Sequence, residues 1–510
     1  MPDPAHIRPP HLPRLVERRP WAAACLAALA AVVATHHGIS TRSVWLDEAW
    51  TVALGAHTAP AILRVAAHDQ NPPLYNLLMA VWLHAFGTSE IALRAPSLLA
   101  AAATAALLLL FVRRFFGAEA AITATLLYLV SPAQAVYATE GRAYAIVGLL
   151  CVASFHLYLS LLEAPRRTTA VVLGGVNAVG LWTHYTVGLA WLAQAACAPL
   201  LAATGGGRPA LRAYAASQLL ALALFAPLVP IALANMPDAA TSWLPPPGVA
   251  DLAHVVRELA GSRSALRAGA LLIAGFCAWR LVLRWRGDAS LPSTGDRRIV
   301  AALAWAVLPI ALAFAVSQRT PILLVRYELF SGLGWIVAIA AVLASLPWPA
   351  LARTGAALGI LLLTFRTSPY DASRDPSWRE IAAIVRSAGR DGAMAVVAPS
   401  VDCIPLAYYA APDVLPSIFG PRGSWQPAVL ERRLAARGIL CRDDTWPAAG
   451  ADLDGERALL VASRPGGDAA VQALRHAAAR GYGVESSTEL AGKTVHVLAR
   501  QAKASKGIAP

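Results

Sequence analysis

Charge is scarce in this sequence, and lysine is nearly missing from it. Only 14% of the 510 residues are charged while 57% are hydrophobic. A soluble protein carries about 25% charged residues, so most of this chain must meet lipid. Lys493, Lys503 and Lys506 are its only lysines, and the net charge of +13 therefore rests on arginine. The arginines punctuate hydrophobic segments instead of forming one basic surface, which argues against a nucleic-acid partner and for the bilayer. No convincing small-residue cleavage site follows the first hydrophobic segment, which reads as a retained signal-anchor and not a removable signal peptide. After residue 365 there is no glycine-rich phosphate loop and no acidic cluster of catalytic type. No convincing internal repeat is present either. That absence disfavours a secondary transporter, the main competing reading for a chain with ionisable groups beside membrane spans.

What is there is a series of apolar stretches of about 20 residues, the length a helix needs to cross the hydrocarbon. They fall at 21–39, 95–112, 118–136, 143–162, 169–185, 187–204, 213–233, 266–283, 299–316, 327–346 and 348–365. Arg14, Arg18 and Arg19 precede the first. Arg113-Arg114, Arg166-Arg167, Arg208 with Arg212, Arg284 with Arg286 and Arg297-Arg298, and Arg353 mark alternate connections. By the positive-inside rule these connections share the cytoplasmic side. The expectation is a mainly α, polytopic inner-membrane protein of eleven spans, with residues 1–365 in the membrane and a cytoplasmic amino terminus. Residues 366–510 are then exported.

The long outer loop 40–94 contains the apolar stretch 72–83, too short to span and better read as an interfacial or re-entrant helix. A second outer loop, 235–264, carries Pro245-Pro246-Pro247 and then a helix-like stretch through His254, Arg257 and Glu258. In the tail, Asp375-Pro376 forms a helix-start signal before Trp378–Ser387. Apolar runs at 393–398, 458–462 and 494–499 predict strands, and Asp468 opens a helix ending at Arg480-Gly481. This alternation predicts a small α/β domain. Cys25, Cys151, Cys197 and Cys277 lie in or beside spans, as apolar fillers. Cys403 and Cys441 lie in the exported tail, where a disulfide is permitted; the sequence leaves their pairing open.

The groups able to carry chemistry gather on the expected outer face. Asp47-Glu48 follows the first span, bracketed by Trp45 and Trp50. The pair reads either as a helix start favoured by the helix dipole or as a proton-handling site. His68-Asp69-Gln70-Asn71-Pro72-Pro73 reads as a turn or as two ligands of a metal site, and two ligands do not make one. Arg94 stands where the second span begins, snorkelling or binding an anion. The short loop Tyr137–Tyr144 packs Glu140, Arg142 and two phenols together; His184-Tyr185 closes the fifth span and Arg326-Tyr327-Glu328 opens the tenth. Arginines and carboxylates on one outward face suit an anionic, lipid-borne substrate.

In order, Trp45-Leu46-Asp47-Glu48, Asn71-Pro72-Pro73-Leu74-Tyr75, Ala92-Leu93-Arg94-Ala95-Pro96-Ser97, Arg113-Arg114-Phe115-Phe116-Gly117, Glu140-Gly141-Arg142-Ala143-Tyr144, Thr183-His184-Tyr185 and Arg326-Tyr327 run along the chain. This series resembles the family-39-type branch of the GT-C membrane glycosyltransferases, which includes the protein O-mannosyltransferases and the lipid A aminoarabinose transferases. The resemblance implies an inverting transfer of a hexose or pentose from a polyprenyl-phosphate donor to an acceptor hydroxyl. Asp47 is then the general base, and Glu48 orients a hydroxyl or an arginine. Arg94, Arg142 and Arg326, with Tyr144 and Tyr327, take the donor phosphate. His68, Asp69, Tyr75, Glu140, His184 and Tyr185 contact substrate. The acceptor is a glycolipid, a cell-envelope glycan or a protein, and no cofactor is expected beyond the lipid-linked donor. Two positions depart from the aminoarabinose transferases: Trp50 replaces a basic residue, and Gln70-Asn71 replaces an acidic-basic pair. Both argue against that particular activity and against a metal at that loop.

Overall fold

The computed structural model describes residues 11–238, 244–288, 292–365, 377–420, 423–442, 456–463, 468–490 and 493–501. They form two compact units. One holds Met1–Gly38, Ala66–Tyr75 and Arg94–Pro369; the other holds Ile39–Val65, Asn76–Leu93 and Tyr370–Pro510.

The first unit is helical, and a helix occupies every one of the expected spans. Pro20–Thr35 opens with proline at its first position, where no amide donor is needed. The helix Glu90–Phe116 starts earlier than the apolar run at 95 implied, so Arg94 lies inside it. Hydropathy misplaced that start because the polar first turn is helical all the same. The third stretch is broken: Ala118–Val130 stops at Ser131, and Pro132–Ala138 continues at a bend of 65°. Then follow Tyr144–Glu163, Arg167–Thr183, Val187–Ala202 and Gly207–Phe225, the last continued through Ala226–Leu228 into Val229–Asp238. Arg263–Trp285, Thr294–Ser317, Leu329–Ser345 and Ala350–Thr364 complete the series. Among the described residues seven helices are long and apolar enough to cross a membrane, or eight counting the bent pair. Arg167–Thr183, Val187–Ala202 and Ala350–Thr364 have 17, 16 and 15 residues, so eleven crossings remain an expectation.

Leu329–Ser345 is the core of this unit, buried almost all round, as a helix without a polar face must be. Gly334 permits its approach to Thr294–Ser317, because a Cβ there would sit 2.7 Å from the Ala306 amide nitrogen. Trp305 on Thr294–Ser317 also stacks on Phe155 of Tyr144–Glu163 at 4.0 Å. A buried polar chain ties further helices: Ser154 donates to Asn177 (2.6 Å), Gln194 to Ser154 (2.8 Å) and Asn177 to Gln218 (3.1 Å). With no hydrophobic drive between helices in lipid, close packing and such interhelical bonds together hold them. Val249–Leu259 forms the helix expected in the second outer loop. Cys151 and Cys197 are buried fillers as expected, whereas Cys25 and Cys277 face outward.

The second unit is built on a five-stranded sheet. Its strands are β1 (Met394–Ala398), β2 (Ile439–Cys441), β3 (Arg457–Ser463), β4 (Tyr482–Leu490) and β5 (Lys493–Arg500), in the order β2-β1-β3-β5-β4. β1 runs parallel to β2 and β3, while β5 is antiparallel to β3 and β4. β1, β3 and β5 are the expected strands. β2 has only three residues, and β4 is a mostly exposed polar edge without an apolar run. The helices Trp378–Arg390 and Asp468–Ala479 are also as expected, but Asp375-Pro376 lies outside the described residues.

Loop segments ahead of the second long helix fold into this same unit. Trp50 packs on Phe419 and Trp425 at 4.9 and 4.7 Å, His57 Nε2 pairs with the Pro416 carbonyl (2.9 Å), and the Val44 amide donates to Tyr409 Oη (2.7 Å). Trp50 is thus a packing residue of this folded unit. Leu74–Phe86, the expected short apolar helix, has 13 residues and is too short to span.

Cys403 and Cys441 are bonded, their Cα atoms 6.1 Å apart and 38 residues apart in sequence. By loop entropy such a link is worth about 3–4 kcal/mol. Replacing both cysteines with serine should lower the thermal transition of this unit, read in detergent by near-ultraviolet circular dichroism. An unchanged transition would mean that the link contributes no stability.

Candidate active site

The interruptions between helices of the first unit bring the charged side chains together. Ser97, fully buried on the second long helix, donates to the carbonyls of Glu140 (2.6 Å) and Arg142 (3.1 Å). Within the loop, the Arg142 amide donates back to the Glu140 carbonyl (2.7 Å). The loop after the bent helix pair is therefore fixed at its backbone, which frees its side chains for other work. Gln134, on the same bent segment, donates to the Leu329 carbonyl at the entry to the core helix (3.0 Å).

An aromatic cluster surrounds the arginines. Tyr144 meets Tyr137 (5.4 Å), His184 (6.0 Å) and Tyr327 (6.1 Å), and His184 meets Tyr327 at 4.9 Å. The Arg326 guanidinium lies over the Tyr327 ring at 5.5 Å. His184 falls within electrostatic range of both Arg142 and Arg326. Its Nδ1 faces the Thr186 hydroxyl at 2.8 Å and accepts from the Thr186 amide at 3.4 Å, while that hydroxyl reaches the Tyr327 carbonyl at 3.2 Å. An amide can only donate, so Nδ1 is the acceptor and Nε2 carries the proton. That Nε2 is buried with no hydrogen-bond partner among the described residues, and so is the Tyr185 hydroxyl. Two guanidinium groups and an unanswered imidazole N–H are the donor set a phosphate requires.

Asp69 joins this group through charge. Its Oδ1 accepts from the Asn71 amide (3.1 Å) and side chain (3.2 Å), closing the turn that the sequence offered as one reading. Burial pushes the Asp69 carboxyl above its ordinary range, and the Arg142 guanidinium pulls it back down. His68 beside it is exposed, and Tyr75 is buried. Among the described residues no three His, Cys, Asp or Glu side chains are placed to hold a metal. Arg94 and the Glu140 side chain are buried, Arg94 completely.

Asp47 and Glu48 belong to the second unit, in the first turn of the helix Leu46–Gly55. Glu48 is fully buried, and its Oε2 accepts the Trp45 amide at 3.4 Å, capping the helix start. Asp47 is half-buried, and its carbonyl accepts from the Thr51 hydroxyl (3.0 Å).

Three neighbours of this cluster were given no role in the sequence: Ser97, Thr186 and Glu328. Ser97 and Thr186 are short side chains whose contacts depend on a distant backbone. Glu328 had a visible signal, since it stands in the motif beside Tyr327 at a helix start. It is fully buried, with one carboxylate oxygen accepting from Ser331 at 3.0 Å.

The sequence model of the dolichyl-phosphate-mannose-protein mannosyltransferase family matches residues 70–231, which hold Tyr75, Arg94, Glu140, Arg142, Tyr144, His184 and Tyr185. Among solved structures, ArnT from Cupriavidus metallidurans in the apo state is 14% identical over 94% of this chain and 98% of its own, with a TM-score of 0.43. The same protein bound to undecaprenyl phosphate gives the same values. The oligosaccharyltransferase of Archaeoglobus fulgidus is 12% identical over 78% of this chain and 64% of its own, also at a TM-score of 0.43. Among curated proteins none matches significantly. By its motifs and this family match, the chain is similar to the GT-C membrane glycosyltransferases.

Ser97→Ala should loosen the loop carrying Arg142 and cost about 1–3 kcal/mol, because the Arg142 carbonyl loses its Ser97 donor and the Glu140 carbonyl keeps only the Arg142 amide. Thermal unfolding in detergent reads this, and a wild-type transition would show that the loop is held by other means.

Proposed function

We propose that this protein is an integral-membrane inverting glycosyltransferase. It moves a hexose or pentose from a polyprenyl-phosphate donor to an acceptor hydroxyl at the outer face of the cell membrane. The observation that carries this reading is the convergence of Arg142, Arg326 and the proton-bearing Nε2 of His184 within an aromatic surround. A phosphodiester joined to a sugar meets both needs there: phosphate oxygens for the donors, and a sugar ring for Tyr144 and Tyr327.

In the reaction, the acceptor oxygen attacks C1 as the bond from C1 to the phosphate oxygen breaks. The hydroxyl proton passes to Asp47, and polyprenyl phosphate leaves with the bonding electron pair. Phosphate gains negative charge as it departs, so Arg142, Arg326 and Arg94 stabilise the transition state more than the bound donor. A phosphate leaving group needs little protonation, which makes a paired general acid unnecessary. Burial of Glu48 against the helix start supports a positioning role for it, beside Asp47. Asp69 pairs electrostatically with Arg142 and sets its direction. His68, Tyr75, Glu140 and Tyr185 complete the proposed substrate contacts. In this reading 1–365 is the membrane catalytic part, with the loop 40–94 supplying the acid even though Ile39–Val65 and Asn76–Leu93 group with the tail, and 366–510 is exported. The Cys403–Cys441 link supports that placement, since such bonds persist in oxidising compartments. The acceptor class is a glycolipid, an envelope glycan or a protein.

Asp47→Asn keeps the shape but cannot take a proton, so turnover should fall about 10²–10⁴-fold with donor affinity intact. Undiminished transfer by this variant would exclude Asp47 as the base. Arg142→Gln should instead weaken donor use, seen as lost retention of a polyprenyl phosphate in native mass spectrometry. Equal retention would remove Arg142 from the phosphate contact.

A further inference from the structure

A cavity lies far along the helix from Arg94, at the Arg113-Arg114 end of Glu90–Phe116. It measures about 590 Å³ within the helical unit, with Trp21, Leu107, Leu110, Arg113, Arg114 and His156 in its wall and one carboxylate, Glu17, set against the two arginines. The motif containing Arg113-Arg114 plays no part in the proposed transfer. Trp21 is 74% exposed at the start of the first candidate span, where an indole sits at headgroup depth. Leu107 and Leu110 stand one to two turns deeper along the helix and offer an apolar wall.

The charges here are not fully answered. Glu163 is shared: Arg298 bonds it directly, and Arg114 lies 3.9 Å away. Arg113 is half-buried, its one hydrogen bond goes to the Glu17 carbonyl (3.4 Å), and no ion pair involves it among the described residues. His156 Nδ1 is buried with no hydrogen-bond partner among them. A guanidinium without a counter-ion, a second only partly neutralised, an unanswered imidazole nitrogen and an adjoining apolar wall define one kind of ligand.

We infer that this cavity binds an anionic phospholipid, its phosphate on Arg113 and Arg114 and an acyl chain along Leu107 and Leu110. Basic pockets between membrane helices recognise acidic headgroups in this way. The site is separate from the proposed transfer chemistry, so its test does not depend on activity.

The full chain in neutral detergent is examined by native mass spectrometry with added phosphatidylglycerol or phosphatidylcholine of identical acyl chains. Phosphatidylglycerol should be retained roughly tenfold better. Arg113→Gln with Arg114→Gln should reduce it to the phosphatidylcholine level. Leu110→Trp keeps both guanidinium groups and fills the cavity, and should also abolish the preference, provided the variant elutes as a monodisperse species. Equal retention of the two lipids, or a preference that survives both variants, would overturn the proposal. Displacement of phosphatidylglycerol by millimolar inorganic phosphate would overturn it too, by showing a free-anion site.

Discussion

An ionised side chain beside lipid persists only where something answers its charge. This chain has few such groups, and it places them accordingly. Arg280 pairs with Asp296, Arg298 with Glu163, and Arg353 with Glu119. These ion pairs fix helix ends, and two of them, through Arg298 and Arg353, lie at the expected cytoplasmic connections. The cluster around His184 is different in kind. There Arg142 and Arg326 both act on the His184 imidazole, Asp69 attracts Arg142, and the surrounding phenols supply ring faces.

The helical architecture makes that cluster possible through its interruptions. The loop after Pro132–Ala138, the break at His184 and the short turn Val325–Glu328 all leave regular helix. Irregular backbone at membrane depth is tolerated only where protein buries it or a cavity receives it. Here the freed backbone groups are caught by side chains: Ser97 on the carbonyls of Glu140 and Arg142, Gln134 on that of Leu329, and Thr186 on that of Tyr327. The same bonds that satisfy the breaks hold the arginines in register. Structure and chemistry are set by one group of contacts.

Much of this was legible in the sequence. Apolar length located a helix at each of the eleven stretches but not the break at Ser131, because burial in lipid favours helix and composition alone does not mark a bend. Arg142, Tyr144, His184, Arg326 and Tyr327 stood out as polar residues in connections too short to need them. Two things were not legible. Helix ends were blurred where a polar first turn precedes the apolar run, which is how Arg94 came to lie inside a helix. The folding of Trp50 and His57 with Phe419 and Pro416 joins positions more than 350 residues apart, and no local pattern encodes such a contact. The edge strand Tyr482–Leu490 escaped for a third reason: one polar, solvent-facing strand carries no hydrophobic period.

The most direct measurement uses the purified chain in liposomes containing a polyprenyl-phosphate-linked sugar and membrane glycolipid extract. Phosphate release and sugar transfer are followed together, and the anomeric configuration of the product is read by nuclear magnetic resonance. One polyprenyl phosphate freed per sugar attached, with the configuration at C1 reversed, is the predicted result. Movement of intact sugar across the membrane with no bond broken at C1 would contradict the account and favour a transporter.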